Sequence, residues 1–291
     1  MLKRVHLIIN PVSGPDIPVL KLINQTLRKT KIEWHALVTR KASDIKKYVE
    51  KAIEDKVDAV AVYGGDGTLV EAATALAHQP IPLIILPGGT ANIMAKELGV
   101  PLDLATALKI FTKQRHREVE IDLGKCGDEL FALRMNVGLP ADQVKGASRQ
   151  RKNNYGNLAY ALAAVEHWMH HQPSEYRMVL DGKKVTAQGV GLMVTNAGNF
   201  GLPGMSMMPN IKVTDGKLDV ILIQSADLTA LLSMISSTLT QATSTPTLKH
   251  WQVKTATIDV KPPQTIVKDD KVVPHHTLEI SVVPKAVKIL R

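Results

Sequence analysis

The sequence predicts an α/β domain on a parallel sheet over residues 1–120, then a predominantly antiparallel β domain over 121–291. Three observations carry this. Up to Glu120, apolar runs of strand length alternate with helical patterns, as βαβ units do. Beyond Glu120 short strands follow one another across tight turns, Asp181-Gly182 being the clearest hairpin signal. The chain has 291 residues, enough for two hydrophobic cores at about 150 residues each.

The elements follow in order. Val5–Ile9 is a strand stopped by Asn10-Pro11-Val12-Ser13-Gly14, and Trp34–Thr39 is a second. A helix spans Ser43–Ile53, and Val57–Tyr63 is a strand ended by Gly64-Gly65. A helix over Leu69–Ala77, a strand at Pro82–Leu86 and a helix over Ala91–Leu98, closed by Gly99 and Pro101, complete the α/β part. In the second domain Ile121–Cys126 and Leu130–Asn136 flank Gly127-Asp128, and Arg177–Leu180 and Lys184–Ala187 flank Asp181-Gly182. Lys217–Ile223, Ala256–Lys261 and Thr277–Val283 continue the strands, the last of them a candidate to return to the first domain. Two helices interrupt the series, Leu158–Trp168 and one with Leu228, Leu231, Leu232, Ile235, Leu239 and Ala242 on one face.

Composition narrows the function. A formal charge of +9 calls for an anionic partner: nucleic acid, nucleotide or membrane surface. Aromatic residues are only 4% of the chain, too few for stacking platforms along a single strand, and no base-reading motif is present. Nucleic acid is therefore not expected. Cys126 is the single cysteine, so no intrachain disulfide or cysteine-based metal site forms and a reducing compartment is expected. The N-terminus reads as a strand rather than a signal peptide. Val185–Ile211 and Leu228–Leu248 carry no charge, but the first is rich in Gly, Pro and Asn and the second in Ser and Thr. Neither supplies the roughly 20 apolar residues of a bilayer span. His170-His171 and His275-His276 lack metal-ligand spacing and read as surface histidines.

Three strands of the first domain end in glycine-bearing turns: Asn10–Gly14, Gly64-Gly65-Asp66-Gly67-Thr68, and Pro87-Gly88-Gly89-Thr90-Ala91-Asn92. In a parallel sheet all three lie at the carboxyl edge, where open α/β folds bind ligands. Glycines let the backbone approach a ligand, and helix N-terminal amides favour phosphate. Thr68 and Glu71 have capping-box spacing, which starts a helix beside Asp66. A carboxylate at that positive end suits Mg²⁺ on a phosphate, a hard cation taking oxygen ligands; the plainer alternative is an Asp-Gly turn. No Gly-Lys pair precedes Ser or Thr, so there is no Walker A loop, and no G-x-G-x-x-G follows the first strand.

These motifs resemble the soluble diacylglycerol kinase and sphingosine kinase family of lipid kinases. The match rests on Asn10–Gly14, GGDGTLVEAATALA from Gly64 and PGGTANIMAKELGVP from Pro87. It continues through FALRMNVGLPADQV, the segment Tyr155–Tyr160 and KVTDGKLDVILI from Lys212, covering nearly the whole chain. GGDGT alone is shared with NAD kinases and phosphofructokinases; PGGTAN beginning 23 residues later is far more specific.

The resemblance implies a Rossmann-like, NAD kinase-like first domain, with ATP and a lipid meeting in the cleft before the second. It implies ATP contacts from Asn10, Pro11, Val12, Ser13, Gly14, Thr39, Gly64, Gly65, Asp66, Gly67, Thr68, Leu69, Val70, Glu71, Gly89, Thr90 and Asn92. Asp66 takes a catalytic place beside the phosphates. An Mg²⁺ site is implied at the Asp215 carboxylate with the main-chain carbonyls of Lys212 and Lys217; Asp215-Gly216 read alone is a plain turn. Expected partners are a membrane lipid substrate and an anionic membrane surface, contacted peripherally from the cytoplasmic side of the inner membrane. Bacterial members make a homodimer an assembly to test.

One departure stands out. Where the family has Asp-Gly-Glu near the C-terminus, its carboxylates activating the lipid hydroxyl, this chain reads Asp269-Asp270-Lys271. A protonated lysine cannot serve as base. Three readings follow: Asp269 acts alone as the catalytic base, Asp270 replaces the missing carboxylate, or the protein binds ATP and lipid with little turnover. A NAD kinase-like activity on a soluble substrate is a further alternative. Met205, Met207 and Met208 read either as the border of an acyl-chain pocket or as core packing. Lys109, Lys113, Arg115 and Arg117, and Lys145, Arg149, Arg151 and Lys152, read either as solvated faces or as docking patches for anionic lipid.

Overall fold

The computed structural model describes residues 2–113, 115–138, 172–199, 210–225, 248–269, 271–273 and 277–291. The helices expected at 158–168 and 228–242, the Tyr155–Tyr160 segment, Met205, Met207, Met208, the 145–152 basic cluster, Asp270 and both histidine pairs lie outside the described residues. The chain divides into two compact units, Met1–Ile121 with Lys285–Arg291, and Asp122–Pro284.

In the first unit, strands and helices alternate. They are β1 (Arg4–Ile9), α1 (Val19–Leu27), β2 (Glu33–Val38), α2 (Ser43–Glu54), β3 (Ala59–Gly64), α3 (Asp66–Ala75), β4 (Leu83–Pro87), α4 (Ile93–Glu97) and α5 (Leu104–Ala107). A 3-10 turn, Leu108–Thr112, extends α5. The strands form a parallel sheet in the order β2-β1-β3-β4. Ile289 and Leu290 add a further parallel edge against Leu83 and Ile84. β3 is buried along its whole length, as expected where helices cover both faces of a parallel sheet. Val5, Leu7 and Ile9 pack with Ile23 and Leu27 of α1 and Phe111 in one core.

Four helix starts differ from expectation, one of them the short α5, which the sequence pattern does not predict. Helix α1 was not anticipated, although Val19, Leu22, Ile23 and Leu27 have helical spacing. Helix α3 begins at Asp66 with an extended Gly65 as N-cap, so Thr68 lies inside its first turn and the Thr68–Glu71 capping box does not form. Helix α4 begins at Ile93 because Asn92 adopts φ 49°, in the left-handed region, and breaks the helical path there.

The second unit takes up β5 (Glu118–Cys126), which enters from the first, then β6 (Glu129–Phe131), β7 (Arg134–Val137), β8 (Ser174–Leu180), β9 (Lys183–Gly189) and β10 (Gly191–Thr195). There follow β11 (Leu218–Ile223), β12 (Leu248–Val253), β13 (Thr255–Lys261), β14 (Ile266–Lys268), β15 (Lys271–Val273) and β16 (Thr277–Leu290). One sheet runs β16-β13-β8-β9, with β5 and β6 joined at β16. The other runs β12-β11-β10-β7-β14-β15 and is antiparallel throughout. Asp181 and Gly182, both at positive φ, turn β8 into β9 as their sequence implied. Met135, Val194 and Val220 of one sheet share a core with Tyr176, Met178, Ile258 and Leu278 of the other.

The strand expected over Leu130–Asn136 is split into β6 and β7. The cause is a side chain: the amides of Ala132, Leu133 and Arg134 all donate to the Asp269 carboxylate.

Candidate functional site

The parallel order of β1, β3 and β4 brings the three glycine-bearing turns side by side in the first unit. Asn10 anchors the first turn: its Oδ1 accepts the Val12 amide at 3.2 Å, and its Nδ2 donates to Thr68 Oγ1 at 2.9 Å. Ser13 Oγ accepts the Gly65 amide at 3.3 Å, and the Tyr63 hydroxyl donates to the Ser13 carbonyl. Gly88 N donates to the Gly64 carbonyl at 2.9 Å. Asn92 closes the third turn, exchanging hydrogen bonds with the Gly89 amide and carbonyl at 2.8 and 2.7 Å.

Glycine is sterically required at several of these contacts. A Cβ on Gly14, which has φ 77°, would lie 2.5 Å from the Gly88 carbonyl, and one on Gly89 would lie 2.6 Å from Gly65 Cα. A Cβ on Gly67 would meet nothing within 4 Å. Thr39 is buried, its amide donating to the Ile9 carbonyl at 2.9 Å beside the first turn. Leu69 and Val70 are buried in the core, while Glu71 is half-buried and Thr90, Pro11 and Val12 reach solvent.

Asp66 occupies the first residue of α3, where a carboxylate complements the positive end of the helix. Its Oδ1 accepts the Met94 amide at 3.2 Å. Burial lowers the Lys96 ammonium below its ordinary pKa, and the nearby Asp66 charge opposes that shift. Tyr63, Met94 and Lys96 thus belong to the site although sequence did not single them out; Lys96 lies inside the PGGTAN-bearing segment. The turns present a hydrogen-bonded backbone cradle with one carboxylate and one ammonium beside it.

A second constellation lies in the second unit. Asp122 is buried, and its Oδ2 accepts the Gly216 amide at 2.7 Å. Asp215 Oδ1 accepts the Lys217 amide at 3.0 Å. Partial desolvation, and then the Asp219 and Asp122 charges, push the Asp215 carboxyl above the usual carboxylate range, against the Lys217 amide bond. Asp219 is buried against His250, Oδ1 to Nε2 2.6 Å, while its Oδ2 and the buried Oδ1 of Asn196 have no hydrogen-bond partner. Orphaned buried oxygens mark places where a bound water or cation completes the coordination. The donors here are oxygens, as Mg²⁺ prefers. Among the described residues no three His, Cys, Asp or Glu side chains converge as a metal cluster. Around this loop the structure shows one partly desolvated carboxylate, Asp215, and two orphaned buried oxygens, a donor set whose chemistry suits a hard cation.

Asp269, at φ 42°, accepts the Ala132 amide on Oδ2 at 2.9 Å and the Leu133 and Arg134 amides on Oδ1 at 3.1 and 2.9 Å. Burial raises its carboxyl above the ordinary range, with the three amides opposing. Lys271 is exposed.

Comparison with known proteins covers both units. Residues 4–126 match the diacylglycerol kinase catalytic domain, and residues 135–291 match the YegS C-terminal NAD kinase beta sandwich-like domain. The chain is 28% identical over 297 residues to a diacylglycerol kinase of Mycobacterium tuberculosis, covering 99% of this chain and 95% of that protein. A diacylglycerol kinase of Staphylococcus carnosus is 27% identical over 236 residues, covering 79% and 76%. The crystal structure of a diacylglycerol kinase from Bacillus anthracis superposes with a TM-score of 0.80 at 26% identity, over 99% of this chain and 96% of that one.

Proposed function

Starting from the chain's membership of the diacylglycerol kinase catalytic-domain family of lipid kinases, we propose that it transfers the γ-phosphate of ATP, with Mg²⁺, to a lipid hydroxyl. The observation carrying this reading is the packing of the three turns, glycine against glycine, around the N-terminus of α3. Phosphoryl transfer asks of a protein mainly positioning and charge neutralisation. In this reading Asn10–Gly14, Thr39, Gly64–Glu71, Gly89, Thr90 and Asn92 bind and orient the nucleotide. Asp66, fixed by the Met94 amide, takes the catalytic place at the phosphates, and Lys96 balances its charge. Asp215 with the Lys212 and Lys217 carbonyls would hold Mg²⁺, which neutralises phosphate charge when bound. The second unit takes the lipid, and positive surface charge favours peripheral contact with anionic membrane. The working place is the cytoplasmic face of a membrane, and a homodimer is the assembly to test.

Asp269 enters as the catalytic candidate of the acceptor side, in a narrow form. A carboxylate has about four lone-pair sites, and three already accept amide protons. That engagement, together with Lys271 in place of the family's glutamate, favours a second reading: a nucleotide- and lipid-binding protein of low turnover. One experiment separates the two. Purified protein is incubated with labelled ATP, Mg²⁺ and mixed lipid extract or NAD, alongside Asp66→Ala and Lys271→Glu. Labelled lipid, abolished by Asp66→Ala, supports the kinase. ATP binding without product, converted to turnover by Lys271→Glu, supports the second reading. Labelled NADP would overturn both.

A further inference from the structure

The first unit contains a cavity of about 440 Å³ that shares no residue with the glycine-bearing turns. Ile84, Ile110 and Leu290 contribute to an apolar lining, and Lys113, Arg117 and Arg291 add three cations. No acidic residue lines it. The amides and carbonyls of Arg117 and Arg291 exchange two hydrogen bonds of 2.9 Å, which sets these residues directly opposite each other. Like charges placed opposite across such a pair destabilise it unless something offsets them. Three nearby acids are occupied elsewhere, and the Arg291 guanidinium itself donates to the Leu98 carbonyl. Glu118 pairs with Lys288 at 3.6 Å, Glu120 with Lys285 at 4.0 Å, and Asp103 accepts both the amide and the hydroxyl of Thr106. Next to the lining residue Pro101, Leu102 leaves 46% of its surface in solvent.

We propose that this cavity is a headgroup pocket for an anionic phospholipid, docking the first unit on acidic membrane. The phosphate offsets the opposed Arg117 and Arg291 charges and meets Lys113, and the apolar lining receives the glycerol and first acyl carbons. Leu102 enters the interface beside it, while exposed Lys109 and Arg115 add only diffuse attraction. A free phosphate ester would use the cations but leave the apolar lining and Leu102 unused, which is why a lipid is the committed occupant. The pocket rests on the reading that this protein works at membranes, and gives that reading a specific contact.

The test is co-sedimentation of the full chain with phosphatidylcholine vesicles, with and without phosphatidic acid. Lys113→Ala/Arg117→Ala is compared with Lys109→Ala/Arg115→Ala, which removes the same charge outside the cavity. All four side chains are exposed, and ATP binding checks that each variant is folded. Diffuse attraction accounts for at most about fivefold per cation near the surface for either pair; the pocket predicts a loss of partitioning for the first pair beyond that and clearly larger than the loss for the second. Equal losses would mean a smeared surface charge and overturn the pocket. Displacement by soluble glycerol phosphate as effective as by short-chain phosphatidic acid would overturn the lipid as occupant. Lipid phosphorylation is measured separately in neutral detergent micelles: its absence would count against the kinase reading and leave the pocket result standing.

Discussion

Asp269 shows how one side chain can shape a strand far away in sequence. Its carboxylate substitutes for a ladder partner at Ala132, Leu133 and Arg134, and so sets where β6 stops and β7 begins. Removing it leaves three part-buried amides without this acceptor, each a costly loss. Asp269→Ala is expected to lower stability by about 3 kcal/mol in denaturant titration. Asp269→Asn should be nearly as damaging, because its NH₂ group would face amide donors. A stable, inactive Asn variant would instead mark Asp269 as a base with no structural part.

His6 offers a second residue-scale prediction, one that depends on pH. It is buried in β1, stacked on His35 at 5.5 Å between ring centres, with Asp55 at 3.3 Å. Burial lowers its pKa. Asp55 opposes the shift, and His35, Lys51 and Arg4 reinforce it. The unfolded chain therefore takes up a proton near pH 6.5 that the folded protein still refuses. The stability from neutral His6 is present above that pH and is lost as pH falls through the lowered folded value. Urea midpoints measured downward from pH 7 should decline, and His6→Phe should flatten that part of the decline. An unchanged slope in the variant would assign the dependence to other groups.

At the scale of elements, the glycines of the turns separate into two kinds. Gly14 and Gly89 are required by their neighbours, since any Cβ would strike backbone. Gly67 is not: it sits in the first turn of α3 with open space where a Cβ would go. Alanine is the better helix former by roughly 1 kcal/mol; under the proposed function, an unforced glycine there leaves room for the nucleotide to approach the backbone. Gly67→Ala is expected to raise the thermal midpoint slightly while weakening ATP binding about tenfold, the effect of a methyl group held against a phosphate. Retained ATP affinity in the stabilised variant would remove the ligand explanation.

The elements also show what was legible before any coordinates. Strands β1, β3 and β4 were readable because unbroken apolar runs meet glycine or proline at the sheet edge, and the β8–β9 hairpin because Asp-Gly favours the required positive φ. Strands β10, β12, β14 and β15 were not anticipated. They are short, and they are strands because a neighbour pairs with them rather than through a strong pattern of their own. The break at Ala132–Leu133 depends on a carboxylate more than 130 residues later, beyond the reach of local reading. At the candidate site the glycines and Asp66 stood out as motif residues. Tyr63, Met94 and Lys96 contribute a hydroxyl, an amide and a charge that become meaningful only when the turns are adjacent.

At the scale of the whole molecule, the chain passes between its two units twice, at Ile121 and again after Pro284. The second passage is made inside β16, whose first half pairs with β13 and whose Ile289 and Leu290 pair with Leu83 and Ile84 of β4. The first unit is therefore completed by the last residues of the sequence, with Val287 and Ile289 fully buried. Truncating a buried isoleucine to alanine costs about 2–5 kcal/mol, a large share of a typical domain's 5–15 kcal/mol. Ile289→Ala should act on the unit that contains its contacts. Hydrogen exchange is expected to show lost protection along β3 and β4, next to the glycine-bearing turns, with β8 and β9 little changed. ATP binding should weaken in parallel, although no nucleotide contact is altered. Equal loss of protection in β9 would show instead that the two units unfold as one, making the strand they share a cooperative link rather than an edge closing the first unit alone.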